Sequence, residues 1–188
     1  MQEVFVDYIN YIGGLKNYSR NTIFAYEKNL SMFETWLQKN DANIFKLTAN
    51  DVRVFISELA NEKLSPATIN QVLSTIRGFY DFAVRFKLAK INPAAQIKNI
   101  KLAERLPNFL FADEMNRFCK SPYSENNLWQ ARDKAIFSCL YSSGCRVSEL
   151  VNLNVKDLSS DFKSAIVFGK GSKERKVFFA DFAVQVLK

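Results

Sequence analysis

Apolar residues recur every three to four positions through most of the first 85 residues, which is the spacing of amphipathic helices. The pattern predicts four helices joined by short loops. The first ends near a Gly-Gly pair, and the others begin at the capping residues Ser19, Thr48 and Ser65. Because four such helices bury their apolar faces only by packing together, we predict a helical bundle over residues 1–92.

The second half of the chain mixes helical and strand patterns. Residues 93–108 have weak periodicity and several positive charges, and they predict an interdomain linker before a second domain over 109–188. In that domain the pattern predicts helices beginning near Asp113, Leu128, Arg146 and Asp181. Two β-rich runs, 164–168 and 176–179, predict a hairpin around a glycine-rich, basic tip.

The composition is that of an ordinary globular protein, with 48% hydrophobic and 24% charged residues. The apolar runs are too short for a membrane span, and the first residues lack the regions of a signal peptide, so we expect a cytoplasmic protein without membrane contact. The three cysteines form no CxxC pair, and we predict that they are reduced, buried thiols.

The histidine count and the net charge limit the kinds of active site and partner that the chain can have. The chain contains no histidine, which excludes a histidine general base, a Ser-His-Asp triad and a histidine-ligated zinc within these 188 residues. We expect neither a cofactor nor a metal. The net charge of +7 favours a polyanionic partner, and it is uneven: residues 1–93 carry 11 Lys and Arg against 9 Asp and Glu, and 94–188 carry 15 against 10.

The predicted hairpin tip carries the densest positive charge. A narrow basic element of this kind suits contact with a phosphate backbone or insertion into a groove, although a solvated turn that is basic by chance has the same composition. The tip does not match a P-loop or a dinucleotide fingerprint. Its basic residues are Lys170, Lys173, Arg175 and Lys176.

A second candidate site is the stretch Gly144-Cys-Arg-Val-Ser-Glu-Leu150. Arg146 stands at a predicted helix start, where its guanidinium could bind a phosphate with two hydrogen bonds. Glu149, three residues on, would share its helix face and could orient Arg146 or a second basic group. The alternative is a surface Arg–Glu pair of little consequence.

Together the two segments resemble a known family. Ser143-Gly-Cys-Arg-Val-Ser-Glu-Leu and Phe168-Gly-Lys-Gly-Ser-Lys-Glu-Arg are similar to the first two catalytic boxes of tyrosine recombinases, particularly the Xer-type and phage-integrase-like members. Ser19-Arg-Asn-Thr and the stretch from Ser65 to Phe82 resemble the helical core-binding domain of that family.

The resemblance implies a mainly α fold. A four-helix, SAM-like core-binding domain would precede the truncated first half of an α+β tyrosine-recombinase catalytic domain with a β-hairpin. The implied function is that of the DNA-binding portion of a site-specific recombinase or integrase. In the full-length parent, strands would be cleaved and rejoined through a 3′-phosphotyrosine, and the parent would be tetrameric on double-stranded DNA.

The resemblance also implies roles for single residues. Arg146 matches the first catalytic arginine of the family, which contacts the scissile phosphate. Glu149 matches the acidic residue that supports the site. Lys170 matches the hairpin lysine that protonates the leaving 5′-oxygen. We expect DNA contacts from polar and basic positions in both domains: Ser19, Arg20, Asn21, Thr22, Thr68, Asn70, Arg77, Lys173 and Arg175.

The family's HxxR box and tyrosine nucleophile follow the hairpin, and neither occurs in these 188 residues. We therefore expect this chain alone to be inactive, and to be a monomer or a non-native dimer. Two alternatives stay open. The chain could be a DNA-binding module without catalysis, or a competitor of an intact recombinase, and a helical protein-interaction domain is a further possibility.

Overall fold

The computed structural model describes residues 1–103, 106, 108–120, 127–169 and 173–188. The chain divides into two compact units, Met1–Arg105 and Leu106–Lys188. The described residues contain eight α-helices and a two-stranded antiparallel sheet. The predicted mainly α fold with a single hairpin is confirmed.

The first unit consists of four helices whose starts are set by short polar side chains. The Ser19 hydroxyl accepts the N–H of Thr22, and Thr48 forms a reciprocal capping box with Asp51. Ser65 caps the fourth helix, whose first residue is proline. The helices are α1 (Glu3–Gly14), α2 (Arg20–Lys39), α3 (Ala49–Asn61) and α4 (Pro66–Arg85).

The core of this unit is rich in aromatic rings. The ring of Phe5 meets that of Phe79 edge-on, with 4.9 Å between centroids. Among the described residues, one hydrogen bond joins two buried side chains. Asn29 Nδ2 donates to the hydroxyl of Thr75 at 2.8 Å, so these polar groups are satisfied. The fully buried side chains include Phe5, Leu30, Phe33, Phe55, Ile76, Phe79 and Tyr80.

The stretch that follows α4 lies against that helix. Arg77 donates to the carbonyls of Ala94 and Ile97 at 3.2 and 2.7 Å, and the side chain of Asn70 exchanges two hydrogen bonds with the backbone of Ile100. Ala94 is fully buried. The predicted linker therefore begins with residues whose backbone is held by side chains of α4.

The second unit is a helical layer with one hairpin. Its elements are α5 (Ala112–Lys120), α6 (Asn127–Ser143), α7 (Val147–Val151), a 3-10 helix (Val155–Asp157), β1 (Ser164–Phe168), β2 (Glu174–Phe178) and α8 (Asp181–Leu187). Its small core combines one face of the hairpin with side chains of α6 and α8. The core residues are Cys139, Cys145, Ala165, Val167, Val177, Phe179, Ala183 and Val184.

The second strand begins earlier than the sequence predicts. The sequence pattern predicts a start at Lys176, whereas β2 begins at Glu174, because Phe168 pairs with Glu174 and Val167 pairs with Arg175. That prediction was wrong because Glu174 and Arg175 lack the apolar pattern that indicates a strand, although their backbone is paired. Arg175 is thus a strand residue two positions before the buried Val177, on the same face of the sheet.

A test of the packing in the first unit uses two glycines. A Cβ on Gly78 of α4 would lie 2.5 Å from the hydroxyl of the buried Tyr8, whereas one on Gly14 would have no described neighbour within 4 Å. We expect Gly78→Ala to lower the free energy of unfolding by about 1 kcal/mol, because overpacking exceeds the gain in helix propensity. Gly14→Ala, the control, should be neutral or stabilise the unit by up to ~1 kcal/mol. Urea unfolding followed by circular dichroism measures both, and equal stabilisation by the two variants would contradict the close approach.

Candidate functional site

The second unit contains a carboxylate that is buried and yet fully hydrogen-bonded. The side chain of Glu149 is only 1% exposed. Its Oε1 accepts from Arg146 Nη1 at 2.7 Å, and its Oε2 accepts from the backbone N–H of Arg146 at 2.8 Å and from Arg175 Nη2 at 2.6 Å. Burial of a charge is tolerable here because charged donors replace the lost water.

Local sequence places Arg146 and Glu149 together. Gly144 ends α6 in the left-handed region, with φ of 60°, and its N–H donates to the carbonyl of Leu140. The chain then turns so that Arg146 directly precedes α7 and Glu149 follows three residues later. The contact between these two side chains that the helical spacing predicts is present.

Arg175 reaches the same carboxylate from the hairpin. It comes from β2, 26 positions further along the chain, and its Nη2 also lies 3.4 Å from the carbonyl oxygen of Gly144. Two guanidinium groups therefore share one carboxylate, and the cluster of Arg146, Glu149 and Arg175 keeps one net positive charge. The side chains of Arg146 and Arg175 are 64% and 42% exposed, so this charge is accessible to an anion.

The base of the hairpin touches this cluster at a glycine. A Cβ on Gly169 would lie 3.1 Å from Glu149 Oε1 and 3.5 Å from Arg146 Nη1, so a side chain here would press on the ion pair. The N–H of Gly169 donates to the carbonyl of Lys173 at 2.8 Å and closes the base of the turn. Lys170, the next residue, lies outside the described residues, and its placement beside Arg146 stays a prediction.

The arginines set the protonation of the acid. Hydrogen bonds from Arg175, from the backbone of Arg146 and from its side chain lower the pKa of Glu149 to about 2, against the opposing effect of burial. In return, the carboxylate raises the pKa of Arg175. Glu149 is therefore ionised and Arg175 is charged throughout the physiological range.

The positions predicted to bind DNA at the helix starts of the first unit have two kinds of surroundings. Arg20 and Asn21 are exposed in the first turn of α2. Ser19 and Thr22 share a hydrogen bond between their hydroxyls at 2.9 Å, and the hydroxyl of Thr68 is bonded in the same way to Ser65 at the start of α4. The hydroxyl of Ser19 thus caps α2, and the hydroxyls of Thr22 and Thr68 are hydrogen-bonded to the capping serines of α2 and α4.

Three other predicted positions have partners within the protein. Asn70 and Arg77 hold the backbone of residues 94–100, and Arg175 binds Glu149. Lys173 is exposed beside the hairpin turn. Sequence reasoning assigned Arg175 to DNA and missed its ion pair, although its place two residues before an apolar strand position was a usable signal.

The described part of the chain holds no group of three His, Cys, Asp or Glu side chains that could bind a metal ion. None of its helices combines the length and apolar character that a membrane span requires. The three cysteines are unpaired and buried, which confirms their prediction as buried thiols, and burial raises the pKa of Cys139 to about 11.

Both units match profiles of one protein family. Residues 5–87 match the profile described as the phage integrase N-terminal SAM-like domain, and residues 108–188 match that of the phage integrase family. The tyrosine recombinase XerC of Treponema denticola is 50% identical over 188 residues, which are 100% of this chain and 62% of that protein. XerC of Leptospira interrogans is 36% identical over 191 residues, which cover 100% of this chain and 61% of that protein. The chain thus spans about three fifths of these relatives.

Solved structures of similar fold include two recombinases. A lambda integrase tetramer bound to a Holliday junction has a TM-score of 0.73 at 17% identity, over 96% of this chain and 52% of that chain. The XerH site-specific recombinase bound to a palindromic difH substrate has a TM-score of 0.72 at 20% identity, over 92% of this chain and 52% of that chain. At these identities the likeness concerns the fold.

The depressed pKa of Glu149 predicts how acid acts on the second unit. Because the folded pKa of about 2 lies below the ordinary value of 4.5, the ion pairs stabilise the unit fully above pH 4.5 and are lost as the pH falls towards 2. In Glu149→Gln this part of the acid dependence should vanish, while the variant is less stable than the wild type at pH 7. Fluorescence of Trp129 in a Trp36→Phe background reports on the second unit alone.

The control for this prediction is Glu174→Gln, which removes an exposed carboxylate from β2. It should keep the wild-type acid dependence. An identical acid dependence in Glu149→Gln and the wild type would show that the buried carboxylate is not the titrating group.

Proposed function

Because the chain belongs to the phage integrase family of tyrosine recombinases, we propose that it is the DNA-binding portion of a site-specific recombinase or integrase. The observation that carries this proposal is the cluster of Arg146, Glu149 and Arg175, which holds an accessible net positive charge at the base of a basic hairpin. The surplus of basic residues in the second half of the chain agrees with a phosphate ligand.

In the proposed reaction, a tyrosine hydroxyl attacks the phosphorus of the scissile bond. The tyrosine gives up its proton as the 3′-phosphotyrosyl bond forms. The bond to the 5′-oxygen breaks, and that oxygen takes up a proton and leaves as a hydroxyl, so that one proton is lost and one is gained. Negative charge grows on the non-bridging oxygens in the transition state, where the prearranged Arg146 guanidinium stabilises it. By family resemblance, Lys170 would supply the proton to the 5′-oxygen, and Glu149 would orient Arg146.

In the first unit we propose that the starts of α2 and α4 contact duplex DNA. Arg20 and Asn21 are exposed there, and the hydroxyls of Ser19, Thr22 and Thr68 lie in the first turns of the two helices, where backbone N–H groups are suited to phosphate oxygens. Among the other positions that the sequence picked out, Asn70 and Arg77 bind the 94–100 stretch, so they would act on DNA mainly by fixing that stretch.

A polypeptide of these 188 residues should bind DNA without cutting it. Phosphoryl transfer needs a nucleophile in line with the scissile bond, and positive charge does not replace one. The 188 residues lack histidine, and all seven tyrosines precede the hairpin, whereas the family's nucleophile follows it. We expect cleavage and the tetrameric assembly on DNA to require the further length that the relatives have. We also propose that the protein is cytoplasmic, where its cysteines would stay reduced.

Salt dependence of duplex binding tests the proposed DNA contact. Release of condensed counterions makes the logarithm of the affinity fall linearly with the logarithm of the salt concentration. We expect the affinity for a duplex of about 30 base pairs to fall by roughly tenfold or more between 50 and 200 mM salt. Fluorescence anisotropy measures it, and an affinity independent of salt would favour a protein-interaction domain instead.

The docking face in the first unit is tested by charge reversal. Arg20→Glu should weaken binding and lower the salt slope by about 1, since one phosphate contact is lost. The matched control is Lys46→Glu, which changes the net charge equally at an exposed loop position beyond the far end of α2. Equal losses in the two variants would count against contact by the start of α2.

A suicide substrate tests whether the chain cleaves DNA. We expect no covalent protein–DNA adduct on a denaturing gel when the 188-residue polypeptide is incubated with a nicked duplex, whereas a longer family member run in parallel should form one. An adduct would overturn the expectation. Tyr141, which precedes the Arg146 segment and is 44% exposed, would then be replaced by Phe first.

A further inference from the structure

The charge of Arg175, on the second strand of the hairpin, is already engaged by a carboxylate. Its Nη2 lies 2.6 Å from Glu149 Oε2, and this carboxylate oxygen also accepts the backbone N–H of Arg146. Oε1, in contrast, accepts from Arg146 Nη1. The carboxylate is thus divided between two arginines, with one oxygen for each side chain.

We propose that Arg175 is a positioning residue for Arg146: by occupying one oxygen of Glu149, it limits Arg146 to a single side-chain contact with that carboxylate and leaves the rest of the Arg146 guanidinium for a phosphate. The inference rests on the proposed function only in taking a DNA phosphate as the physiological anion.

The competing geometry explains why such a residue is needed. An arginine beside a lone carboxylate tends to form two parallel hydrogen bonds with it, fork to fork. Arg146 in that arrangement would be neutralised by Glu149, and fewer of its donors would remain for a ligand. With Arg175 present, Nη1 is the one guanidinium nitrogen of Arg146 for which the described residues provide an acceptor, and the side chain is 64% exposed.

Arg175 also ties the hairpin to the Arg146 segment. Gly169 lies directly against Glu149 and Arg146, and β1 and β2 hold Arg175 in register opposite Val167. The ion pair therefore links the hairpin strand to the helix start through a single buried acid. A direct phosphate contact by Arg175 is the competing role, and it would be independent of Glu149.

A double-mutant cycle separates these roles. The variants are Arg175→Gln, Arg175→Lys, Glu149→Gln and the double variant Arg175→Gln/Glu149→Gln, and the measured quantity is the affinity for duplex DNA at 0.15 M salt. We expect Arg175→Gln to weaken binding about tenfold, as the loss of a charge-assisted hydrogen bond would. In the Glu149→Gln background the same change should cost no more than about twofold, because no carboxylate is left to capture Arg146.

The conservative variant gives a second readout. Arg175→Lys keeps a cation that can hold Glu149, so it should recover most of the affinity. Equal losses from Arg175→Gln in both backgrounds would overturn the inference in favour of direct DNA contact. If Arg175→Gln alone does not fold, because it leaves part of a buried carboxylate without a donor, the double variant is compared with Glu149→Gln, in which no buried charge remains. A loss of more than about twofold between these two would overturn the inference.

Binding of inorganic phosphate tests the positioning role without DNA. The side-chain Nε–Hε resonance of Arg146 is followed by NMR during phosphate titration. The wild type should bind phosphate several-fold more tightly than Arg175→Gln, with no such difference in the Glu149→Gln background. If duplex binding fails while this pattern holds, the proposed function is wrong and the positioning role stands. An equal loss in both backgrounds rejects the positioning role whatever the DNA result.

Discussion

The buried carboxylate of Glu149 is the constraint on which the arrangement of the second unit depends. A charge with a side chain 1% exposed persists only if every part of it is hydrogen-bonded by positive or strongly polar groups. That requirement fixes the start of α7, where Arg146 supplies two donors, and it fixes β2, where Arg175 supplies the third. Removal of either arginine would leave a buried charge partly unpaired.

The register of the hairpin follows from the same requirement. Alternation along β2 puts Arg175 and the buried Val177 on one face and Lys176 and Phe178 on the other. A slip of one residue would turn Arg175 away from Glu149 and expose Val177, so apolar burial and the ion pair specify the same pairing. Gly169 completes the arrangement because a side chain there would press on Glu149 Oε1.

The first unit is held together differently. Its interior is an aromatic and aliphatic core, in which the buried polar side chains of Asn29 and Thr75 are hydrogen-bonded to each other. Polar side chains act at its edges, where they start helices or, in the case of Arg77, fasten the chain that follows α4. Such a bundle forms a stable base for exposed groups such as Arg20, whereas in the second unit a buried carboxylate holds the partly exposed arginines of the charged cluster.

The sequence by itself determined the helices, their caps, the hairpin and the family, because these depend on local signals: apolar spacing, Ser19 and Thr48 before helix starts, and the two short boxes that contain Arg146 and Lys170. It also predicted the contact of Arg146 with Glu149, since three positions on a helix bring side chains together. Only the tertiary structure decided that β2 starts at Glu174, that Arg175 shares Glu149, and that Arg77 holds the 94–100 stretch. These contacts join residues up to 26 positions apart. They depend on strand register and on the packing of the 94–100 stretch against α4, and the local spacing of residues encodes neither.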